Sequence, residues 1–265
     1  MKPLNSYCYS FPAVKGIQAG RPFFIATCPL RLIPKIFMYD EEEVPPELRA
    51  QRTLNKNRIP EMAKYLVDYS ENYVFSAITA SISESVEFNE LEHSSNLGNL
   101  KIPMEARILL NDGQHRRAAI EEAIKERPEL CQENIAVVFF IDEGLTRSQQ
   151  MFTDLNKYAV RPNPSLSTLY DHRDEEAGLA RHLAMNCKPF EKFTELERGS
   201  ISVTSSKLFT LSAIKNANKE LIGSSPKSGY TEEIVEKAIH YWEMLFVLSD
   251  NYGGRSSGNY LGRLI

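Results

Sequence analysis

The hydrophobic and polar positions of the chain change period several times, and each change marks a predicted element boundary. Over the first forty residues, "YSFPAV" and "PFFIATCPLRLIPKIF" gather aromatic and β-branched residues in short runs, separated by the turn-prone "KGIQAG". They read as extended segments, and the proline spacing excludes helix. Pro60 suits a first helical turn, and Met62, Tyr65, Leu66 and Tyr69 follow at helical spacing, which predicts a helix over about 60–70. "YVFSAITASISESVEF" has the composition and partial alternation of a strand, and "NELEHSSNLGNLKIP" reads as a polar, exposed connection.

The sharpest pattern is a strand "ARILL", a turn "NDG", a helix "QHRRAAIEEAIKERP" and a second strand "IAVVFFID". Ala119, Ile120, Ala123 and Ile124 form one apolar helical face, and Pro128 ends it. "AVVFFI" is apolar throughout, as in a strand covered on both faces. A strand–helix–strand crossover predicts parallel strands joined right-handedly. From Thr146 the period is helical again, with the capping box Thr146-x-x-Gln149 ahead of Met151, Phe152 and Leu155. "RPNPS" is a turn, "EEAGLARHLAMN" and "TEEIVEKAIHYWEMLFVLSDNY" are amphipathic helices, and "LIGSSPKSGY" is a looser joint. The expected organisation is an α/β domain over 1–145, of mixed α+β character, and a mostly helical domain over 146–265. The chain stops at "YLGRLI" just after "GGRSSG", so a C-terminal truncation is expected.

Composition narrows the class. Hydrophobic residues at 42% and charged residues at 25% are ordinary globular values, which excludes a disordered or collagen-like chain. No run approaches the roughly 20 apolar residues that span a bilayer, and no signal-peptide core follows Met1, so no membrane association and a cytoplasmic location are expected. Cys8, Cys28, Cys131 and Cys187 are scattered without a CxxC pair, which signals neither a zinc site, an iron–sulfur site nor a disulfide framework. With a net charge of -4 the chain lacks the overall basic balance of many nucleic-acid binders, so DNA contact would require a local patch.

Two stretches could form such sites. Asn-Asp-Gly is a strong hairpin signal, but the residues after Gly113 have helical periodicity. The turn therefore feeds a helix whose first amides are unpaired and carry the positive dipole end, a setting that binds phosphate and that a glycine lets the ligand approach. His115 and Arg116 add side-chain donors, whereas Arg117 reads as part of a solvated first turn. Asp112 could hold a magnesium ion or polarise a water, and His115 could act as acid or base. No Walker lysine and no GxGxxG is present. In "RAQRTLNKNR", Arg49, Arg52 and Lys56 fall at i, i+3 and i+7, and Arg58 and Lys64 extend the charge against Glu61 alone. Thr53 and Asn55 interleave donors of the kind DNA contacts use. A third stretch, Asp171-His172-Arg173-Asp174, reads as a helix end fixed by local ion pairs.

"NDGQHRRAAI", "RAQRTLNKNRIPEMAKY", "YVFSAITASI" and "MFTDLNKYAVRPNPSLSTLYDHRD" together resemble the DndB family of DNA sulfur (phosphorothioate) modification proteins, whose shared module is named for its DGQHR motif. The matching blocks lie between about 45 and 175. The resemblance implies a bacterial DNA-binding protein that regulates the modification operon, with double-stranded DNA and other modification proteins as partners and with homo-oligomerisation open. The module is in turn similar to the ParB/sulfiredoxin fold, whose strand–turn–helix holds nucleotide phosphates. Carried over, this puts Gly113, Gln114, His115 and Arg116 at the phosphates of ATP or another NTP with magnesium, and makes Arg49, Arg52, Asn55, Lys56 and Arg58 the DNA candidates. Sulfiredoxins carry a reactive cysteine and ParB a glutamate where this chain has Gln114, which excludes thiol chemistry and puts hydrolysis in doubt. The competing hypothesis is an enzyme, an ATPase or a DNA-nicking phosphodiesterase, in which Asp112 and His115 act with a divalent metal.

Overall fold

A computed structural model describes residues 7–37, 57–141, 150–151, 153–155, 157, 162–225 and 229–252. Two compact units divide between Ala159 and Val160. Among the described residues no helix is long and apolar enough to cross a membrane.

The first unit is built on a seven-stranded sheet, in the order β4-β5-β1-β2-β7-β3-β6. Its strands are β1 (Cys8–Gln18), β2 (Arg21–Pro29), β3 (Ile78–Ile82), β4 (Glu87–Leu91), β5 (Ser94–Pro103), β6 (Ile108–Asp112) and β7 (Asn134–Ile141). Neighbours are antiparallel except β3 and β7. Alternation decides the buried face: Phe11 and Ala13 of β1 align through Phe24 and Ala26 of β2 with Val137 and Phe139 of β7. Phe139 is fully buried, with Phe11 and Phe37 each stacked 6.3 Å away. Against this sheet pack α1 (Ile33–Ile36), α2 (Arg58–Asp68) and α3 (Gln114–Glu126). In α2 the buried residues Ile59, Ala63 and Leu66 recur at i, i+4 and i+7, which is why that stretch is helical and which side it buries.

The architecture is mixed α/β, and four local expectations change. First, the strands flanking α3 are not parallel neighbours. β3 lies between them: Asp112 pairs with Thr79 and Thr79 with Val138, whereas Ile108 and Ile141 both meet Ile82 at the other end. β6 and β7 therefore run in opposite directions, and the chain leaves and re-enters the sheet at one end. Hydrophobic period reports which residues face the core, not which strand lies alongside. Second, "NELEHSSNLGNLKIP" is no loose connection but most of the β4–β5 hairpin. Its inward residues are only Leu100 and Ile102, and a Cβ at Gly98 would lie 2.2 Å from the Asn89 carbonyl oxygen, so backbone proximity stands where a strand side chain would have been the signal. Third, the prolines do not exclude helix near residue 30: a 3-10 turn at Leu30–Leu32 leads into α1, with Pro34 in its first turn, where no amide is needed. Fourth, β7 buries Ile135, Val137 and Phe139 while Ala136 is exposed and Val138 and Phe140 are half-buried, so one face is covered. Phe140 stacks on Phe23 at 5.8 Å, which accounts for an apolar residue on the open face.

The second unit contains α4 (Pro164–Tyr170), α5 (Glu175–Asn186), α6 (Lys188–Glu191), α7 (Leu211–Ile222) and α8 (Glu232–Tyr252), with a two-residue parallel bridge between β8 (Thr194–Glu195) and β9 (Phe209–Thr210). Asn163, Asp174 and Thr210 cap α4, α5 and α7 by accepting from the amides of Leu166, Ala177 and Ala213. The core gathers Leu183, Phe190, Phe209 and Trp242, and the Trp242 indole donates to Asn218 Oδ1 at 2.8 Å. The stretch Asp171–Asp174 is the turn between α4 and α5: Asp171 accepts from the amides of Arg173 and Asp174, and Asp174 pairs with Lys215. That ion pair, with its amide hydrogen bonds, holds the Asp174 carboxyl below its usual range despite partial burial. The capping box at Thr146–Gln149 lies outside the described residues, while Gln150, Met151, Thr153–Leu155 and Lys157 are helical.

Phe139→Ala removes the ring at the centre of the first core, and a loss of about 3–5 kcal/mol in urea unfolding of that unit is expected.

Candidate functional site

β6 ends at Asp112 and α3 begins at Gln114, so one residue makes the whole turn. That residue, Gly113, has φ 110° and ψ 14°, and a Cβ there would lie 2.9 Å from Ile78 Cγ1 and 3.3 Å from Arg116 Nη2. Both the backbone conformation and the space require glycine. Arg117 N donates to the Gly113 carbonyl at 2.8 Å, which starts the helix at once. The N-cap residue, a glycine, makes no side-chain cap, and the amides of Gln114, His115 and Arg116 form the first turn of α3.

A second helix start lies beside the first. Arg58, the first residue of α2, is close enough to His115 to depress its pKa, and at the other end Arg127, the C-cap of α3, donates from Nη1 to the Val67 carbonyl at 3.1 Å. α2 and α3 therefore run in the same direction. Their positive dipole ends, each equivalent to roughly half a charge, sit together, and α2 also has no side-chain cap hydrogen bond.

The side chains divide into braces and exposed donors. Arg116 Nη2 lies 2.6 Å from Asp112 Oδ2 and 3.1 Å from the Ala77 carbonyl, tying the turn to the segment that leads into β3. Its Nε is buried with no hydrogen-bond partner. Gln114 is buried, and its Nε2 donates to the Leu110 carbonyl at 3.2 Å, so its side chain packs under the turn. Arg117 is not part of a solvated first turn: it is mostly buried, donating to the Pro34 carbonyl at 2.8 Å and to Glu121 at 2.5 Å, and it fastens α3 to α1. His115 is half-buried. Burial, then Arg58 and Arg116, lower its pKa from 6.5, and Asp112 opposes them. Its imidazole is neutral near pH 7, able to offer one donor and one acceptor.

Of the residues expected to touch DNA, Arg49, Arg52, Asn55 and Lys56 lie outside the described residues, while Arg58 joins the turn. Two stretches that read as separate candidates thus meet at this one residue. Sequence reasoning missed the Ala77 carbonyl, the Arg117 brace and a buried pair, Asn111 Nδ2 to Ser81 Oγ at 2.5 Å, beside the irregularity in the β3–β6 ladder next to Asp112. Only Arg117 left a signal, in its i, i+4 spacing to Glu121. Among the described residues no group of three or more His, Cys, Asp or Glu side chains is placed to hold a metal ion.

Fold and turn together define a mixed α/β protein with a strand–turn–helix, turned by a left-handed glycine, at one end of its sheet. The family model of DndB, DNA-sulfur modification-associated, matches residues 11–251, and the chain belongs to that family. Membership connects it with a DNA sulfur modification system. No curated protein and no solved structure matches the chain.

Gly113→Ala forces a side chain into the left-handed turn and against Ile78, and thermal unfolding should report a loss of about 1–3 kcal/mol. Because the fold lowers the His115 pKa, its contribution to stability is complete above 6.5 and is lost as pH falls below that value. Urea unfolding at neutral and mildly acid pH should show a smaller acid-side decline in His115→Gln than in the wild type.

Proposed function

We propose that this chain is a DNA-binding regulatory protein of the phosphorothioate modification system, controlling the modification operon, and that the turn at Gly113–Arg116 receives a phosphate of DNA or of a nucleotide. The observation that carries the reading is the meeting of two helix starts with Arg58, His115 and Arg116. On a chain of net charge -4, this concentrates positive potential at two helix N-termini. Lys56 and Asn55 lie two and three positions before Arg58, and Arg52 and Arg49 lie further upstream, which extends the same basic stretch as a DNA contact. A strand, a left-handed glycine and an uncapped helix at the edge of a mixed sheet support a ParB/sulfiredoxin-like relation for the module. The partners that follow are double-stranded DNA, other modification proteins and, at the turn, ATP or another NTP with magnesium.

Asp112 favours binding over hydrolysis. One of its carboxylate oxygens is engaged by Arg116 at 2.6 Å, so the group best placed to polarise a water serves to brace the turn.

Fluorescence anisotropy against salt tests the DNA contact. Arg58→Ala, and the pair Arg52→Ala with Lys56→Ala, should weaken binding to duplex DNA and lower the slope of log K on log salt by about one for each phosphate that is no longer neutralised. Slopes unchanged in both variants would remove these residues from the interface. Phosphate release from magnesium-ATP that Asp112→Ala and His115→Ala both abolish would replace the regulator by the hydrolytic enzyme.

A further inference from the structure

The ladder between β3 and β7 begins only at Ile78 and Val137. Continued backwards in register, it would pair Ala77 with Ala136, Ser76 with Ile135, Phe75 with Asn134 and Val74 with Glu133. No backbone hydrogen bond joins these described segments. They part around a cleft of about 490 Å³, lined among others by Leu66, Tyr73, Phe75, Glu133, Asn134 and Ile135.

One side-chain contact draws the strands apart and a second bridges them. The Val74 amide donates to the Tyr65 hydroxyl at 3.0 Å, drawing that strand towards α2. The Tyr73 hydroxyl donates to Glu133 across the far end of the cleft. The opening is thus bounded by the β3–β7 ladder at one end and by the Tyr73–Glu133 contact at the other. An extended peptide cannot thread it, whereas its volume falls in the range of about 300–1,000 Å³ typical of small-ligand sites.

The lining narrows the ligand further. The apolar wall is the half-buried Phe75, backed by the buried Leu66 and Ile135, with the Phe75 ring 6.0 Å from Tyr73 and 6.1 Å from Tyr65. Along the parted strands the Val74 amide is taken by Tyr65 and the Ala77 carbonyl by Arg116, so the donors and acceptors at the cleft are the main-chain groups of Phe75 and of 134–136 that a continued ladder would have paired. Glu133 takes the Tyr73 hydroxyl and keeps further acceptor sites for an amine. Burial and this carboxylate push the Tyr73 phenol well above its usual range, so it remains a donor. A flat ring with adjacent donors and acceptors on its edge and an exocyclic amine meets all of these groups together.

We infer that this cleft binds a nucleobase, stacked against its apolar wall and read on its hydrogen-bonding edge by the main chain of residues 74–75 and 134–136 and by Glu133. The inference rests on the phosphate reading of the turn for its ligand class. Ala77, whose carbonyl accepts from Arg116, is four residues from Tyr73, at most about 14 Å of extended chain. Cleft and turn lie at the same end of the sheet, so one nucleotide chain can serve both. The base comes either from a free nucleotide or from an unstacked position in DNA.

The test titrates the whole chain with free nucleosides, with a single-stranded oligonucleotide and with inorganic pyrophosphate. Nucleoside binding identifies a free nucleotide as the source, and binding of the oligonucleotide alone identifies a base presented by a strand. In either case Glu133→Gln and the cleft-filling Ala136→Trp should weaken it about tenfold or more while leaving pyrophosphate unaffected. In the wild type, the bound base should shift the amide resonances of 73–77 and 133–136, a readout that needs no variant to fold. Absence of binding by both base-containing probes, indifference to both substitutions, or amide shifts confined elsewhere overturns the proposal. Pyrophosphate binding that Arg58→Ala weakens belongs to the turn. Its absence beside cleft-sensitive nucleoside binding would sink the turn and leave the cleft standing.

Discussion

Everything at the functional end of the sheet depends on a single left-handed residue. At φ 110°, Gly113 ends β6 and starts α3 with no intervening loop, and the missing Cβ lets Ile78 of the neighbouring strand approach to where a side chain would stand. The same compression places Arg116 within reach of both Asp112 and the Ala77 carbonyl, so strand, helix and the approach to β3 are bound together through one guanidinium. A longer turn would separate these groups, and Arg116 would give up one partner or the other.

The electrostatics follow from that geometry. Two helices running in the same direction bring like dipole ends together, an arrangement that is unfavourable without a counter-charge, and Arg58 and Arg116 add to it. Asp112 offsets part of this field, and His115 responds by staying neutral. The turn thus gathers positive charge together with a partial counter-charge from Asp112, on a chain that is acidic overall. Beside it the sheet itself opens, because Tyr65 takes the Val74 amide of the strand leading into β3, while Tyr73 of that strand reaches across only to Glu133, just ahead of β7. Turn and cleft are two consequences of how β3 is held at its start.

Much of the secondary structure was legible because it depends on local spacing. The apolar faces of α2, α3, α5 and α8 recur at helical period, and each forms close to where that period predicts. The β4–β5 hairpin was not legible: its polar Ser and Asn residues face solvent, and Gly98 replaces a side chain by close backbone contact. α7 was not read although "LSAIKNANKELI" sets Leu211, Ile214, Ala217 and Leu221 at helical spacing, and its buried Asn218 is explained only by the Trp242 indole, 24 positions away. At the turn, the glycine and the helix that follows it could be read directly. The inward rotation of Gln114, the burial of Arg117 and the closeness of Arg58 could not, since each depends on how the turn packs against the rest of the unit.

The sequence by itself determined much of which residues alternate into a core, where α2, α3, α5 and α8 lie, that Gly113 joins a strand to a helix, and which family's motif the chain carries. Those properties are set by steric and hydrophobic preferences within a few residues. Only the tertiary structure decided that β3 separates β6 from β7 and makes them antiparallel, that α2 brings Arg58 to His115, and that the β3–β7 ladder opens into a cleft. These are choices of neighbour, governed by how whole faces pack and by hydrogen bonds between residues tens of positions apart, and the local pattern of a strand or helix is the same whichever neighbour it finds.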